Sequence, residues 1–146
     1  MPIVKLKKLD ENAVLPSYGS KNAAGADLYA NTKEKTQIKP GETVVIHTGI
    51  SMEIPEGFVG LIYARSGIAL KRGLAPANKV GVIDSDYRGE IMVALYNHSD
   101  SLQTVEPGER IAQMVITPYI AADFIQVDEL GNTERGAGGF GSTGTK

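Results

Sequence analysis

Turn-forming residues break this chain at close intervals, and that spacing restricts the fold more than any other feature of the sequence. Asn22, Lys39-Pro40-Gly41, Pro55-Glu56-Gly57, Asp86 to Gly89 and Glu106-Pro107-Gly108 all read as turns. Pro presets one backbone angle, Gly supplies positive φ, and Asn or Asp side chains bond their own backbone. Between these signals apolar residues alternate or run in short β-branched stretches: Met1 to Leu6, Thr43 to Ile50, Gly57 to Tyr63, Glu90 to Asn97 and Arg110 to Pro118. Each is expected to be a strand. Many short strands without a helical crossover predict an all-β chain whose antiparallel sheets fold into a jelly-roll-like sandwich or barrel. One short helix is expected from Ser66 to about Lys71, with Ser66 capping its start and Gly73 ending it.

At 146 residues the chain has room for one ordinary domain around a single core. Hydrophobic residues make up 42% and charged residues 22%, a balance that favours folding over disorder. A net charge of -2 gives no electrostatic reason to expect duplex nucleic acid or an acidic membrane as a main partner. Phosphate chemistry would therefore have to rest on local sites. The absence of Cys excludes disulfides, thiolate nucleophiles and cysteine-ligated metal centres. His47 and His98 have no partner at a telling spacing, and surface or strand-facing positions are expected for both. The start MPIVKLKKLDENAVLP lacks an apolar run long enough for a signal peptide or span, which makes a cytoplasmic location the expectation.

The character of the chain changes at Arg135. RGAGGFGSTGTK has five Gly in twelve residues, one aromatic and no apolar periodicity, so it cannot form a core by itself. Residues 1–134 are expected to form the domain and 135–146 a mobile arm.

Three segments combine small residues and charge in ways a plain sandwich does not require. In Ala64 to Gly67, ARSG, a guanidinium, a hydroxyl and the free N–H groups of a helix start meet at one spot, which suits an anion; a capped helix beside a surface Arg reads the same way. In Gly81 to Glu90, GVIDSDYRGE, a strand enters a tight turn, with Asp84 and Asp86 two residues apart and Tyr87 and Arg88 beyond. Asp84 either braces that turn or takes a proton from water, for which a carboxylate is ionised at neutral pH but weak as a base. In the arm, Gly spacing would let backbone N–H groups approach phosphates, while Arg135 adds charge and Phe140 a flat apolar face.

Taken together, these segments resemble the five motifs of the trimeric dUTP pyrophosphatases, in order and over most of the chain. AGADLYA, Ala24 to Ala30, is similar to the first motif and ARSG to the second. GVIDSDYRGE is similar to the third, PGERIAQMVI, Pro107 to Ile116, to the fourth, and RGAGGFGSTG, Arg135 to Gly144, to the fifth. The resemblance implies a jelly-roll subunit in a homotrimer, with active sites shared between neighbouring chains and closed by an arm. It implies hydrolysis of dUTP to dUMP and diphosphate, which supplies dUMP for thymidylate synthesis and keeps uracil out of DNA.

By the same resemblance Asp84 is the general base, orienting a water for in-line attack on the α-phosphorus and facing the 3′-hydroxyl. Mg²⁺ would ride on the three phosphates, with Asp27 gripping it through a bound water. Arg65, Ser66, Gly67 and Gln113 would hold the α and β phosphates. Arg135, Gly141, Ser142 and Thr143 would belong to the closing arm, the charged and hydroxyl groups among them reaching the γ-phosphate. Uracil would meet backbone groups near Asn78, Val82 and Ile83, Tyr87 would lie beneath the deoxyribose, and Phe140 would stack over the base. Met92, just after the hairpin, is a further candidate that could equally be core filler. Arg110 is left outside the site, as a structural ion pair. Departures from the family pattern are Ala64, where Pro is common, and Tyr29, where Arg is common.

Two other classes compete. A dCTP deaminase-like enzyme would share the trimeric fold and the Arg-Ser motif but would call for a Glu acting on the base in the region of the third motif. A catalytically inactive, nucleotide-binding regulatory trimer would have no need of Asp84 at a water-facing position.

Overall fold

The strand from Glu90 to Asn97 shows how the sequence builds the core. Ile91, Val93, Leu95 and Asn97 are all buried while Met92 points out, so one face of a period-two pattern goes inward. A computed structural model describes residues 1–139. In chain order its elements are β1 (Lys5–Lys8), β2 (Ser17–Tyr18), β3 (Ala26–Tyr29), β4 (Thr36–Ile38), β5 (Thr43–Glu53), β6 (Phe58–Tyr63) and α1 (Ser66–Arg72). They continue with β7 (Leu74–Pro76), β8 (Gly81–Ile83), β9 (Glu90–Asn97), β10 (Gln103–Val105) and β11 (Arg110–Pro118). One sheet runs β1-β5-β9-β7, a second β2-β3-β11-β6-β8, and β10 pairs β4. Every pairing is antiparallel. This is a mostly β, jelly-roll fold with one short helix.

The two larger sheets close over Leu28, Ile38, Ile46, Ile50, Leu74, Ile91, Leu95 and Ile111, each at most 1% exposed. Full burial of such a side chain stabilises by about 1.5–3 kcal/mol. Asn97 is also sealed inside, and it is satisfied on every side. Its Nδ2 donates to the carbonyls of Ile38 (2.9 Å) and Ser101 (2.8 Å), and its Oδ1 accepts from the Ser99 N–H (2.9 Å) and Oγ (2.7 Å). Two of the expected turns are built alike. In Lys39-Pro40-Gly41-Glu42 and Glu106-Pro107-Gly108-Glu109 the Gly takes φ of 74° and 75°, and the Glu carboxylate accepts the first residue's N–H at 2.7 and 2.9 Å.

Strand positions differ from the sequence reading at both ends. The first strand is Lys5–Lys8, not Met1 to Leu6, because its partner β5 ends at Glu53, opposite Lys5, and nothing remains for residues 1–4 to pair with. At the other end, composition changes at Arg135 but regular structure stops at Pro118; residues 119–139 form no helix or strand. That stretch leaves Ile120, Phe124, Ile125 and Leu130 80–97% exposed, strand-like residues with no partner among the described residues. Among the described residues no helix is long and apolar enough to cross a membrane.

Candidate active site

β3, β11 and the start of α1 converge on a cavity of about 370 Å³ lined by Gly25, Asp27, Arg65, Ser66, Gly67, Arg110 and Gln113, among others. The register explains the meeting. Asp27 lies opposite Gln113, which on its other side lies opposite Tyr63 at the end of β6, two residues before Arg65. Asp27 is buried, and its carboxylate is bonded on both oxygens: Arg65 Nε donates to Oδ1 at 2.7 Å, and Arg110 Nη1 to Oδ2 at 3.3 Å. Two guanidiniums against one carboxylate leave one positive charge in the cavity, which suits a phosphate. Gln113 Nε2 donates to the Ala64 carbonyl at 2.9 Å. Gly25 makes that approach possible, since a Cβ there would sit 2.4 Å from Gln113 Oε1.

The helix start differs from the expectation in one respect. Arg65, in extended conformation, is the N-cap; Ser66 is the first helical residue, and no side chain caps the helix. The Arg65 carbonyl already accepts from the Ala69 N–H at 3.0 Å, which puts Ser66 inside the helix. The first-turn N–H groups are thereby left without a side-chain acceptor, and no acidic residue lies in that turn. At the other end Gly73 takes φ of 65° and closes the helix as expected.

The third segment lies elsewhere. Asp84 follows β8, and continuing the β8–β6–β11 register sets it level with Thr117, four residues along β11 from Gln113. At the usual rise that offset is roughly 13 Å along the strands, with about 10 Å more across two strand spacings. Asp84 instead borders a second cavity of about 630 Å³ with Glu53, Glu56, Asp86, Arg88 and Tyr119. A hydrogen bond from Lys5 lowers the Glu53 pKa and keeps it a carboxylate. The turn is braced without the Asp84 side chain: the Tyr87 N–H donates to the Asp84 carbonyl at 3.2 Å, and Arg88 Nη1 to the carbonyls of Ser85 (2.6 Å) and Tyr87 (3.0 Å). Among the described residues the exposed Asp84 carboxylate accepts no hydrogen bond, so the turn-bracing reading does not account for it.

Tyr87 folds over Gly89, whose hypothetical Cβ would lie 2.4 Å from the phenol oxygen, and its hydroxyl donates to the Glu90 carbonyl at 2.9 Å. Val82 is exposed and Ile83 partly buried on β8, the outermost strand of its sheet, which leaves one backbone edge of β8 unpaired among the described residues. Asn78 sits on the exposed connection from β7 to β8. Met92 points outward, 41% exposed, so it is not core filler in the single chain. Arg135 is exposed in the C-terminal stretch, where its Nε donates to the Gly138 carbonyl at 2.8 Å, and it reaches neither cavity. Phe140, Gly141, Ser142 and Thr143 lie outside the described residues.

Sequence reasoning missed two contributors. Gly25 could have been suspected from the small residues of AGAD. His47 has a partner after all: its Nδ1 lies 2.8 Å from Glu90 Oε2, a pairing 43 residues apart that no local spacing announces. Tyr29, one of the departures, bonds Ser17 Oγ at 2.7 Å through its hydroxyl.

A jelly roll carrying an arginine-lined cavity and, apart from it, a hairpin with a carboxylate unengaged among the described residues suits a phosphate-handling protein. Comparison with known proteins supplies the family. The dUTPase family model matches residues 11–144. The deoxyuridine 5'-triphosphate nucleotidohydrolase of Nautilia profundicola is 52% identical over 141 residues, covering 97% of this chain and 98% of that one. That of Acinetobacter baylyi is 49% identical, covering 96% and 94%. Among solved structures, a Staphylococcus bacteriophage 80alpha dUTPase variant with dUpNHpp superposes with a TM-score of 0.88 at 32% identity, covering 98% of this chain and 99% of that one. The chain belongs to the dUTPase family.

Proposed function

We propose that the protein hydrolyses dUTP to dUMP and diphosphate as a homotrimer, with each active site assembled from more than one chain. The observation that carries this reading is the separation just described. The arginine-lined cavity and the Asp84 hairpin are too far apart on one chain to meet one α-phosphate, whereas a neighbour's hairpin brought to this cavity would complete the set. The unpartnered apolar side chains of residues 119–130 supply a second reason for assembly, since such a row is normally covered.

In that site the Arg65 guanidinium and the N–H groups at Ser66 and Gly67 bind phosphate oxygens, and Gln113 adds a side-chain donor. Asp84 holds a water in line with the α-phosphorus and takes its proton as diphosphate leaves. The unpaired backbone edge of β8, with Asn78, offers fixed donors and acceptors to uracil. Cytosine, with an acceptor at N3 and a donor at N4 where uracil has a donor and an acceptor, would leave buried partners unpaired. Tyr87 lies beneath the sugar. The arm, with Arg135, Phe140, Gly141, Ser142 and Thr143, closes over the nucleotide and excludes water.

Magnesium fits this donor set in one way. Among the described residues no cluster of three or more His, Asp, Glu or Cys could hold a metal, and Asp27 already carries two guanidiniums. Its remaining lone pairs can accept from a metal-bound water, so the ion would ride on the substrate phosphates and neutralise charge on the leaving oxygens. A related dUTPase from phage phi11 of S. aureus, at a TM-score of 0.79 and 27% identity, has been described with a structural Mg(II) ion.

The test is pyrophosphate release from dUTP, UTP, dTTP and dCTP, with and without Mg²⁺, alongside the mass in solution by light scattering. Turnover confined to dUTP by a particle of three chains is expected. Absence of release from dUTP by folded protein would overturn the reading, and deoxyuridine nucleotide formed from dCTP would replace it with deamination.

A further inference from the structure

β5 does not run evenly beside β9. His47 lies opposite Met92 but Ser51 opposite Glu90, so four steps on β5 match two on β9 and a bulge of extra residues stands out between them. Gly49 sits in that bulge at φ of 67°, and a Cβ there would meet Asn31 Nδ2 at 2.4 Å and Ala13 Cβ at 2.9 Å. The bulge is therefore tightly seated, and one side chain from β9 grips it. Glu90 Oε1 accepts the Gly49 N–H at 2.8 Å, while Oε2 lies 2.8 Å from His47 Nδ1.

Glu90 is also the residue on which the catalytic hairpin ends. Its carbonyl takes the Tyr87 hydroxyl at 2.9 Å, and Tyr87 in turn donates its N–H to the Asp84 carbonyl at 3.2 Å. A continuous chain of bonds thus runs from the buried bulge, through Glu90, to the ring and backbone of Tyr87 and on to Asp84. Tyr87 is 39% exposed, so packing alone does not fix its ring.

We propose that Glu90 is a positioning residue for sugar selection: its carboxylate, clasped by Gly49 and His47, holds the carbonyl that fixes the Tyr87 ring, and with it the surface that meets the deoxyribose. This rests on the reading of the protein as a dUTPase. Glu90 is not among the residues proposed to meet the nucleotide. Its effect is on where the Tyr87 ring lies, and displacement of a platform by about 1 Å is enough to change rates by one or two orders of magnitude.

The experiment compares kcat/KM for dUTP and UTP in wild type, Glu90→Ala and Glu90→Gln, with trimer content checked for each. Glu90→Ala is expected to lower the dUTP-to-UTP ratio about tenfold or more, as the freed ring ceases to exclude a 2′-hydroxyl. Glu90→Gln is expected to restore most of that ratio, because its carbonyl oxygen accepts from Gly49 and its amide can donate to neutral His47. A Glu90→Ala variant that slows on both nucleotides in parallel, or an unrescued Glu90→Gln, would overturn the proposal and leave a merely structural clasp. If Glu90→Ala does not assemble, Glu90→Asp carries the same test, since it keeps the charge but is one methylene too short to span both partners. Wild type that does not turn over dUTP would instead overturn the dUTPase reading itself.

Discussion

The arginine-lined cavity and the Asp84 hairpin are made on opposite principles. In the cavity every charged group is tied to another: Asp27 is buried between Arg65 and Arg110, and Gln113 is seated against Gly25 and Ala64. On the hairpin the Asp84 carboxylate is exposed and, among the described residues, unbonded, and order comes from backbone, from Arg88 and from Glu90 at its root. In the proposed site, one region would bind with groups that also hold the fold. The other would carry its chemistry on a group the fold does not use. Substitutions in the cavity should therefore disturb stability and binding together, whereas those on the hairpin should separate chemistry from both.

The largest separation is expected at Asp84. Replacing it by Asn removes the proposed proton acceptor while keeping shape, and kcat should fall by roughly 10²–10⁴-fold, the usual range for a general base. Thermal stability should stay at the wild-type value and a non-hydrolysable dUTP analogue should still bind, both measurable by calorimetry. Loss of stability in step with activity would erase the contrast between the two regions.

Arg65→Ala should show the opposite behaviour. It removes the closer of the two partners of a buried carboxylate, and breaking such a pair costs several kcal/mol when both charges are fully buried. With the Arg65 side chain 25% exposed and Arg110 still in place, about 2 kcal/mol is expected here. Urea unfolding should move to lower midpoint, and substrate KM should rise in the same variant.

How much of this could be read from the sequence depends on the length of the pattern. β5, β6, β9 and β11 were legible because six or more residues carried the alternation or the β-branched run. β2, β4, β7 and β10 have two or three residues each, too few for a period, and exist because a tertiary partner lies alongside. β3 hid within a motif whose Asp and glycine drew attention to chemistry rather than to a strand. The chemical groups themselves stood out in the sequence, since Arg65, Ser66, Asp84 and Tyr87 lie in short dense segments. Their supports did not. The Glu90 clasp depends on a bulge that brings together residues more than 40 positions apart, and the helix start is uncapped because the N-cap position falls on Arg65, whose guanidinium cannot accept an N–H, rather than on Ser66.

Gly25→Ala tests the cavity's packing without changing its charge. The added Cβ would lie 2.4 Å from Gln113 Oε1 and 3.1 Å from Cδ, so the Gln side chain has to leave its seat on the Ala64 carbonyl. A hydrogen bond of this kind is worth about 1 kcal/mol, and KM for dUTP should rise about fivefold with a smaller change in kcat. Unchanged KM would mean that Gln113 binds substrate from another position.

The smallest effect should come from Arg110→Ala, and it decides how the two guanidiniums divide their work. Arg110 reaches Asp27 at 3.3 Å with its side chain 52% exposed, against 2.7 Å and 25% for Arg65. A long contact in water gains little from Coulomb attraction and loses side-chain freedom, so exposed pairs contribute under about 1 kcal/mol. Asp27 would keep its closer partner and stay compensated. The variant should therefore unfold within about 1 kcal/mol of wild type, with most of any loss in activity appearing as a modest rise in KM. A destabilisation equal to that of Arg65→Ala would show instead that Asp27 requires both cations, and would make Arg110 as much a part of the cavity's frame as Arg65.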